Sequence, residues 1–286
     1  MTTDFGRTGT RRRGAASRIV FYLVLIAISL ITVVPFLFML STSFTKSFTM
    51  MSYPPRLIPA HPNLHNYHEL IFEFQDGLFP HWFFSSVLVT TGITVGSLFL
   101  NTLAGYLFAK KRFVGRNLVF VLILSTLMVP TAVKLIPAFQ VARMLHLYGT
   151  YWGLIVPGLA SPIGIFMMRQ FISGLPSEVI EAAKIDGASE MRIFLQIVVP
   201  LSKPAMAALG IFTGVTAWND FLWPLVMLPK ATMRTLPVGL ATIQGQFVAD
   251  YGMIMAGSVM TVLPMVVLYL LFQRQFVAGL RTGYGR

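Results

Sequence analysis

The chain of 286 residues has no cysteine, and its acids are scarce: 10 Asp and Glu stand against 22 Lys and Arg. The first absence removes disulfide frameworks, thiolate nucleophiles and cysteine-ligated zinc from consideration. The second, with charged residues at 11% in total, leaves too few polar groups to cover a soluble globule. Short alternating strands of the kind that close an outer-membrane barrel are missing too. The patterns G-x-x-x-x-G-K-[ST], H-E-x-x-H and G-x-S-x-G do not occur. The chain therefore has no phosphate loop with which to hydrolyse ATP by itself, and no zincin or nucleophile-elbow site.

What is present is apolar. Hydrophobic residues make up 55% of the chain and the mean hydropathy is +0.72. Apolar runs at about 19–41, 83–108, 117–141, 148–168, 205–228 and 252–272 each reach the ~20 helical residues that cross about 30 Å of hydrocarbon. The expected fold is an all-α integral membrane protein with six transmembrane helices. An even number of spans puts both termini on one side. Placing them in the cytoplasm gathers Arg7, Arg11, Arg12, Arg13, Arg18, Lys110, Lys111, Arg112, Arg116, Arg169, Lys184, Arg192, Lys203, Arg274, Arg281 and Arg286 there. Only Lys46, Arg56, Lys134, Arg143, Lys230 and Arg234 stay outside, as the positive-inside rule favours. The net charge of +12 is thus a topology signal and implies membrane lipid rather than nucleic acid as a partner. Residues 1–18 read as a basic cytoplasmic tail near anionic headgroups, the first span as a retained anchor, and 274–286 as a second cytoplasmic tail.

Pro130 and Pro137 fall in the third span and Pro157 and Pro162 in the fourth, so both are expected to kink. Plain bending within a bundle and an unwound element along a translocation path both fit. Gly92, Gly96 and Gly105 in the second span, with Ala205, Ala208, Gly210 and Gly214 in the fifth, offer faces for close helix packing.

Between spans four and five lies a polar insert, 169–204. Ser177 after Pro176 is placed to cap a helix with Glu178 and Glu181 in its first turn, where the macrodipole favours acids. Ala182 and Ala183 favour helix and allow close approach, and Glu181 and Lys184 sit at i and i+3. Gly187 stops that helix and Ser189 starts another. Ile193, Phe194 and Ile197 then form an apolar stripe that Pro200 is expected to end. Phe194 and Ile197 beside Glu181 and Asp186 read as an apolar anchor with a charged rim, suited to a partner protein. A hairpin that simply lies on the membrane is the alternative.

The insert resembles the loop shared by membrane subunits of binding-protein-dependent ABC importers, E-A-A-x-x-D-G-A, five residues, F-x-x-I-x-x-P-L-x-x-P. Glu181, Ala182, Ala183, Asp186, Gly187, Ala188, Phe194, Ile197, Pro200, Leu201 and Pro204 match it. NTLAGYLFAKKRF, MVPTAVKLIPAF, TAWNDFLWPL and FQRQFVAGLRTG look like the carbohydrate-uptake, maltose-type branch. The resemblance implies a type I, maltose-permease-like fold over residues 19–273. It implies that the insert forms coupling helices fitting a cleft on an ATPase subunit. Implied partners are a second homologous permease, two ATP-binding cassette subunits and an extracytoplasmic solute-binding protein. ATP and Mg would bind the ATPases, leaving no cofactor in this chain. Implied activity is import of a sugar or sugar-like solute, an oligosaccharide or glycerol phosphate, by ATP-driven alternating access. A membrane-embedded enzyme and a passive scaffold are the rival classes. The enzyme would need polar residues clustered at one depth; the scaffold leaves the insert's pattern without cause.

Other candidates carry two readings each. His61, His65 and His68 would share a face if helical, as a metal site needs, or the segment with Asn66 and Tyr67 packs on the bundle or meets the binding protein. Asp220, beside Asn219 and Trp218, sits in the fifth span, where an acid costs about 2.5–3.5 kcal/mol to insert. It is either a pathway residue or a buried partner for Asn101, a neighbouring subunit or a backbone donor. Trp218 either stacks on a sugar ring or packs.

Overall fold

In the computed structural model, residues 15–45, 58–59, 61–246 and 250–282 are described. Residues 1–14, Lys46, Arg56 and 283–286 lie outside them, which takes in most of the expected N-terminal tail and the end of the C-terminal one. The described residues are helical, with no β-strand among them. Helix α1 covers Ala15–Ser43, and α2, His65–His68, widens into a π turn at Glu69–Glu73. Helix α3, Phe79–Lys110, is followed by α4, Arg116–Ser125, and α5, Thr131–Met144. Next come α6, Trp152–Gly158, and α7, Pro162–Ser173. The insert holds α8, Ser177–Ile185, α9, Glu190–Ile193, a π turn at Phe194–Val198 and α10, Val199–Leu201. The chain ends with α11, Lys203–Trp218, α12, Leu222–Met227, α13, Leu236–Gln246, and α14, Tyr251–Thr282. The backbone helix thus runs past the expected span end, through most of the segment read as a tail.

Four stretches are long and apolar enough to span by themselves: Ser17–Ser43, Phe79–Lys110, Trp152–Ser173 and Tyr251–Leu270. Two bent pairs also qualify, Arg116–Met128 with Thr131–Met144, turned by 111°, and Glu190–Leu201 with Lys203–Trp218, turned by 79°. Contacts between helix ends decide how these count. Lys111, after α3, pairs with Glu190 at the start of α9, so those two points share one end of the bundle. The α6–α7 stretch is one crossing, so α4–α5 must be another. Consistent with this, Phe120 of α4 lies with Phe108 and Ile165, whereas Ala142 of α5 has moved to Val89, Leu154 and Leu228. Helix α11 then runs from the insert to the end where Trp218 meets Phe83, and six crossings result.

The breaks have local causes. Val129 is held extended (φ −84°, ψ 118°) ahead of Pro130, whose ring clashes with a helical predecessor, and α5 restarts from there. Pro137 stays inside α5 without ending it. Between α6 and α7, extended Ser161 accepts a hydrogen bond from the Gly164 N–H at 2.9 Å and Pro162 takes the first helical position. The fifth span is shorter than its apolar run: α11 stops at Trp218, and Asn219 to Phe221 separate it from α12.

Helix α3 is the axis of the bundle, with α6, α7, α11 and α13 all packed on it. Small residues set the approach: a Cβ at Gly105 would lie 2.6 Å from Met168 Cβ and 2.8 Å from the Arg169 nitrogen. Asn66 donates to the carbonyls of Ser43 and Thr45 at 2.8 and 2.9 Å, and the Tyr67 hydroxyl lies 2.7 Å from Ser43 Oγ. Helix α2 is thereby tied to the end of α1, and the Asn66–Tyr67 segment packs on the bundle.

Candidate functional site

The insert has an inner and an outer face. Helix α8 ends in a Schellman arrangement: the Gly187 N–H donates to Lys184 O at 3.0 Å and the Ala188 N–H to Ala183 O at 2.9 Å. Gly187 adopts φ +77°, which a side chain would strain. Ser189 then caps α9, accepting from the Arg192 N–H at 3.4 Å.

Two expectations change here. Ser177 is already helical and makes no cap hydrogen bond; its hydroxyl instead accepts from Lys110 Nζ at 3.1 Å. Pro200 does not end the second helix. The π turn at Phe194–Val198 widens the backbone ahead of it, and the turn out of the helix comes at Ser202, just before Pro204.

The faces sort the candidate residues. Ile180, Ile193, Phe194 and Val198 are buried in one cluster with Tyr106, Met168, Ile172 and Leu209, and Ala183 and Ala188 pack against it. Phe194 stacks at a tilt on Tyr106, ring centroids 5.9 Å apart, and meets Phe99 edge-on. The expected outward anchor is therefore turned inward, and Ile197 is half-buried. Glu181, Ala182, Asp186, Gly187 and Pro200 are exposed. Between them stands Ile185, 87% exposed, an apolar side chain at the tip of the turn. Sequence reasoning passed over Ile185 because it falls at an unspecified position of the motif. Its signal was present all the same: Ile180 and Ala183 share the inner stripe of α8, which leaves Ile185 off it.

Helix α3 fastens this unit at two points. Lys110 Nζ donates to Leu175 O at 2.6 Å, Ser177 Oγ at 3.1 Å and Ser173 O at 3.5 Å, across the entry to α8. Lys111 forms an ion pair with Glu190 at the start of α9, and the Tyr106 hydroxyl donates to the same carboxylate at 3.1 Å. The hydrogen bond from Lys111 holds the Glu190 carboxyl below its ordinary value, against the opposing effect of burial. Burial works against the Lys111 charge, but its bonds to Glu190 and Tyr106 outweigh that and raise its pKa. Beside them Arg169 lies 3.7 Å from the centroid of the Phe120 ring, joining α7 to α4.

The four candidates expected within the spans do not converge, and Trp218, Asn219 and Asp220 lie at the end of α11 rather than midway along it. Asn101 is fully buried, donates to Ser97 Oγ at 2.5 Å and accepts from the Ser161 N–H at 3.0 Å, which satisfies the backbone freed at the α6–α7 break. Trp218 is buried, its indole N–H donating to Thr261 O at 3.1 Å. Asn219 is exposed and donates to Val215 O at 2.8 Å. Asp220 is half-buried at the break between α11 and α12, close to the Leu222 and Trp223 backbone that opens α12. Asn101 thus holds one helix break, Asp220 lies at another, and the two are not partners of one another. His65 and His68 lie 3.4 and 3.2 Å from Glu69 and Glu73, and no group of three potential ligands for a metal ion occurs among the described residues.

Fold and insert together define a multi-span membrane protein with a braced polar hairpin at its basic end. Residues 101–278 match the family described as binding-protein-dependent transport system inner membrane component. The arabinooligosaccharides transport system permease protein AraQ of Halalkalibacterium halodurans is 42% identical over 259 residues, covering 90% of this chain and 92% of that one. The sn-glycerol-3-phosphate transport system permease protein UgpE of Yersinia enterocolitica is 41% identical over 199 residues, 69% of this chain and 71% of its own. A solved bacterial ABC transporter involved in import of the acidic polysaccharide alginate shares the fold, with a TM-score of 0.84, 24% identity, and coverage of 93% and 100% of the two chains. The chain belongs to the binding-protein-dependent transport system inner membrane components. Within them it groups with the carbohydrate ABC importer permeases, and it is a multi-pass membrane protein.

Proposed function

We propose that this chain is the non-catalytic permease subunit of an importer that moves an oligosaccharide or a sugar-like solute such as glycerol phosphate into the cell by ATP-driven alternating access. Its partners are a second homologous permease, two ATPase subunits that bind ATP and Mg, and an extracytoplasmic binding protein. The chain itself needs no cofactor. Both termini, and the end bearing Lys110, Lys111 and the insert, face the cytoplasm. The relatives' names support the solute class.

The observation that carries this reading is the braced tip of the insert. Ile185 stands out between Glu181 and Asp186, on a turn fixed by Gly187 and backed by a buried apolar face. An exposed apolar residue ringed by charge on a rigid support suits a pocket on a soluble partner better than a lipid surface. Docked there, the tip conveys closure of the ATPase pair to the bundle. Glu181, Ala182, Asp186 and Gly187 shape the contact; Phe194 and Ile197 hold it to the bundle. The pathway role narrows to the Asn219–Asp220 break, since Asn101 and Trp218 are committed to packing.

Co-purification with the ATPase subunits tests this. Glu181→Lys and Ile185→Asp should leave membrane insertion intact, reduce bound ATPase about tenfold or more, as loss of a central hot-spot residue does, and abolish uptake. Retention of both ATPase and uptake in these variants would refute the assignment.

A further inference from the structure

The geometry points to a second line of transmission: we propose that the end of α3, through Lys110 and Lys111, moves as one body with the insert and carries its displacement into the centre of the bundle. This rests on the insert being the ATPase contact. Two adjacent residues reach the starts of both insert helices. Lys110 is still helical and holds the entry to α8 by two carbonyls and a hydroxyl. Lys111 is extended (φ −105°, ψ 149°), which turns its side chain the other way, to Glu190 at the start of α9. Tyr106, one turn back along α3, braces the pair, its hydroxyl on Glu190 and its ring 5.3 Å from Lys111 Nζ.

At the start of α9 the apolar packing of Ile193 and Phe194 on Tyr106 is interrupted. Beneath the ion pair is a cleft of about 300 Å³ lined by Leu103, Leu107, Met191 and Phe194. The polar clip bridges the rim of this open cleft, with Lys111, Glu190 and Tyr106 all lining it. Because α6, α7, α11 and α13 all pack on α3, a displacement delivered there spreads further than one passed along α7 and α11. Lys110, Lys111 and Glu190 are thus positioning residues.

The test uses the full importer with its ATPases and binding protein, and reads solute moved per ATP hydrolysed. Lys111→Glu and Glu190→Lys should each lower that ratio about tenfold with assembly unchanged, and the double swap should return it to within about twofold. A purely structural contact would change the yield of complex and leave the ratio alone. The chain has no cysteine of its own, so Lys111→Cys with Glu190→Cys adds a unique pair. Joined by a short bismaleimide, the pair should recover the ratio lost in the unjoined variant. A swap that fails to rescue, or a tether that lowers the ratio further, would overturn the one-body inference. Should Glu181→Lys keep its ATPase and its uptake, the underlying reading falls instead; should it lose both while Glu190→Lys keeps a normal ratio, this inference alone falls.

Discussion

At Gly105 the α3–α7 contact is decided by a single hydrogen in place of a methyl group. A Cβ there meets Met168 Cβ and the backbone of Arg169, neither of which can rotate away. At Gly96 the corresponding clash is with one terminal methyl of Leu159, at 2.2 Å, with nothing else closer than 3.6 Å. Gly105→Ala should therefore cost about 1–3 kcal/mol by overpacking, and Gly96→Ala well under about 1 kcal/mol because Leu159 has another rotamer. Reversible unfolding in mixed micelles measures both; equal losses would contradict the role given to the Arg169 backbone. The small-residue face was legible from the spacing of Gly92, Gly96 and Gly105. Which of the three touches backbone was not, because that depends on where the neighbouring helix lies.

Among the elements, the insert shows most clearly what a sequence conveys and what it conceals. Caps and breakers are local, so the Gly187 stop and the Ser189 start could be read directly. Direction is not local. The apolar stripe of Ile193, Phe194 and Ile197 identifies a buried face, but burial against one's own bundle and burial against a partner look alike in sequence. The structure turns Phe194 inward and leaves Ile185 as the tip. The Lys111–Glu190 clip adds a pH expectation. Glu190 is held below its ordinary 4.5, so its contribution is complete above that value and is lost as pH falls through the lower, folded one. Lys111 is raised above its ordinary 10.5, so its contribution is complete below 10.5 and lost as pH rises through the higher, folded value. The clip is then fully formed between about 4.5 and 10.5. Spin labels at exposed Val114 and Ile185 should report one narrow distance from about pH 5 to 10, broadening in stronger acid; broadening near neutrality would show that the clip is not what holds the insert.

For the whole molecule, the arrangement of six crossings rests on a tertiary fact. Length and composition allow four to six spans, because the α4–α5 and α10–α11 pairs are sharply bent. The meeting of Lys111 with Glu190 requires an even number of crossings between them, so α4–α5 must pass from one end to the other. Single cysteines at Val114 and Ile185 should accordingly be labelled from the same side of sealed vesicles, and one at Ile58 from the opposite side. Labelling of Val114 and Ile185 from opposite sides would remove the six-span arrangement. Composition by itself determined that this chain lives in a bilayer, since its few charges cannot cover a soluble surface, and the fixed spacing of the insert identified the family. Those properties depend on transfer free energy and on local backbone geometry, which neighbouring residues set. Tertiary structure alone decided that Asn101 serves a helix break, that Phe194 faces the bundle and Ile185 faces out, and that α3 holds the insert. Each of these depends on which groups distant in the chain meet, and hydrophobic patterning carries no record of that.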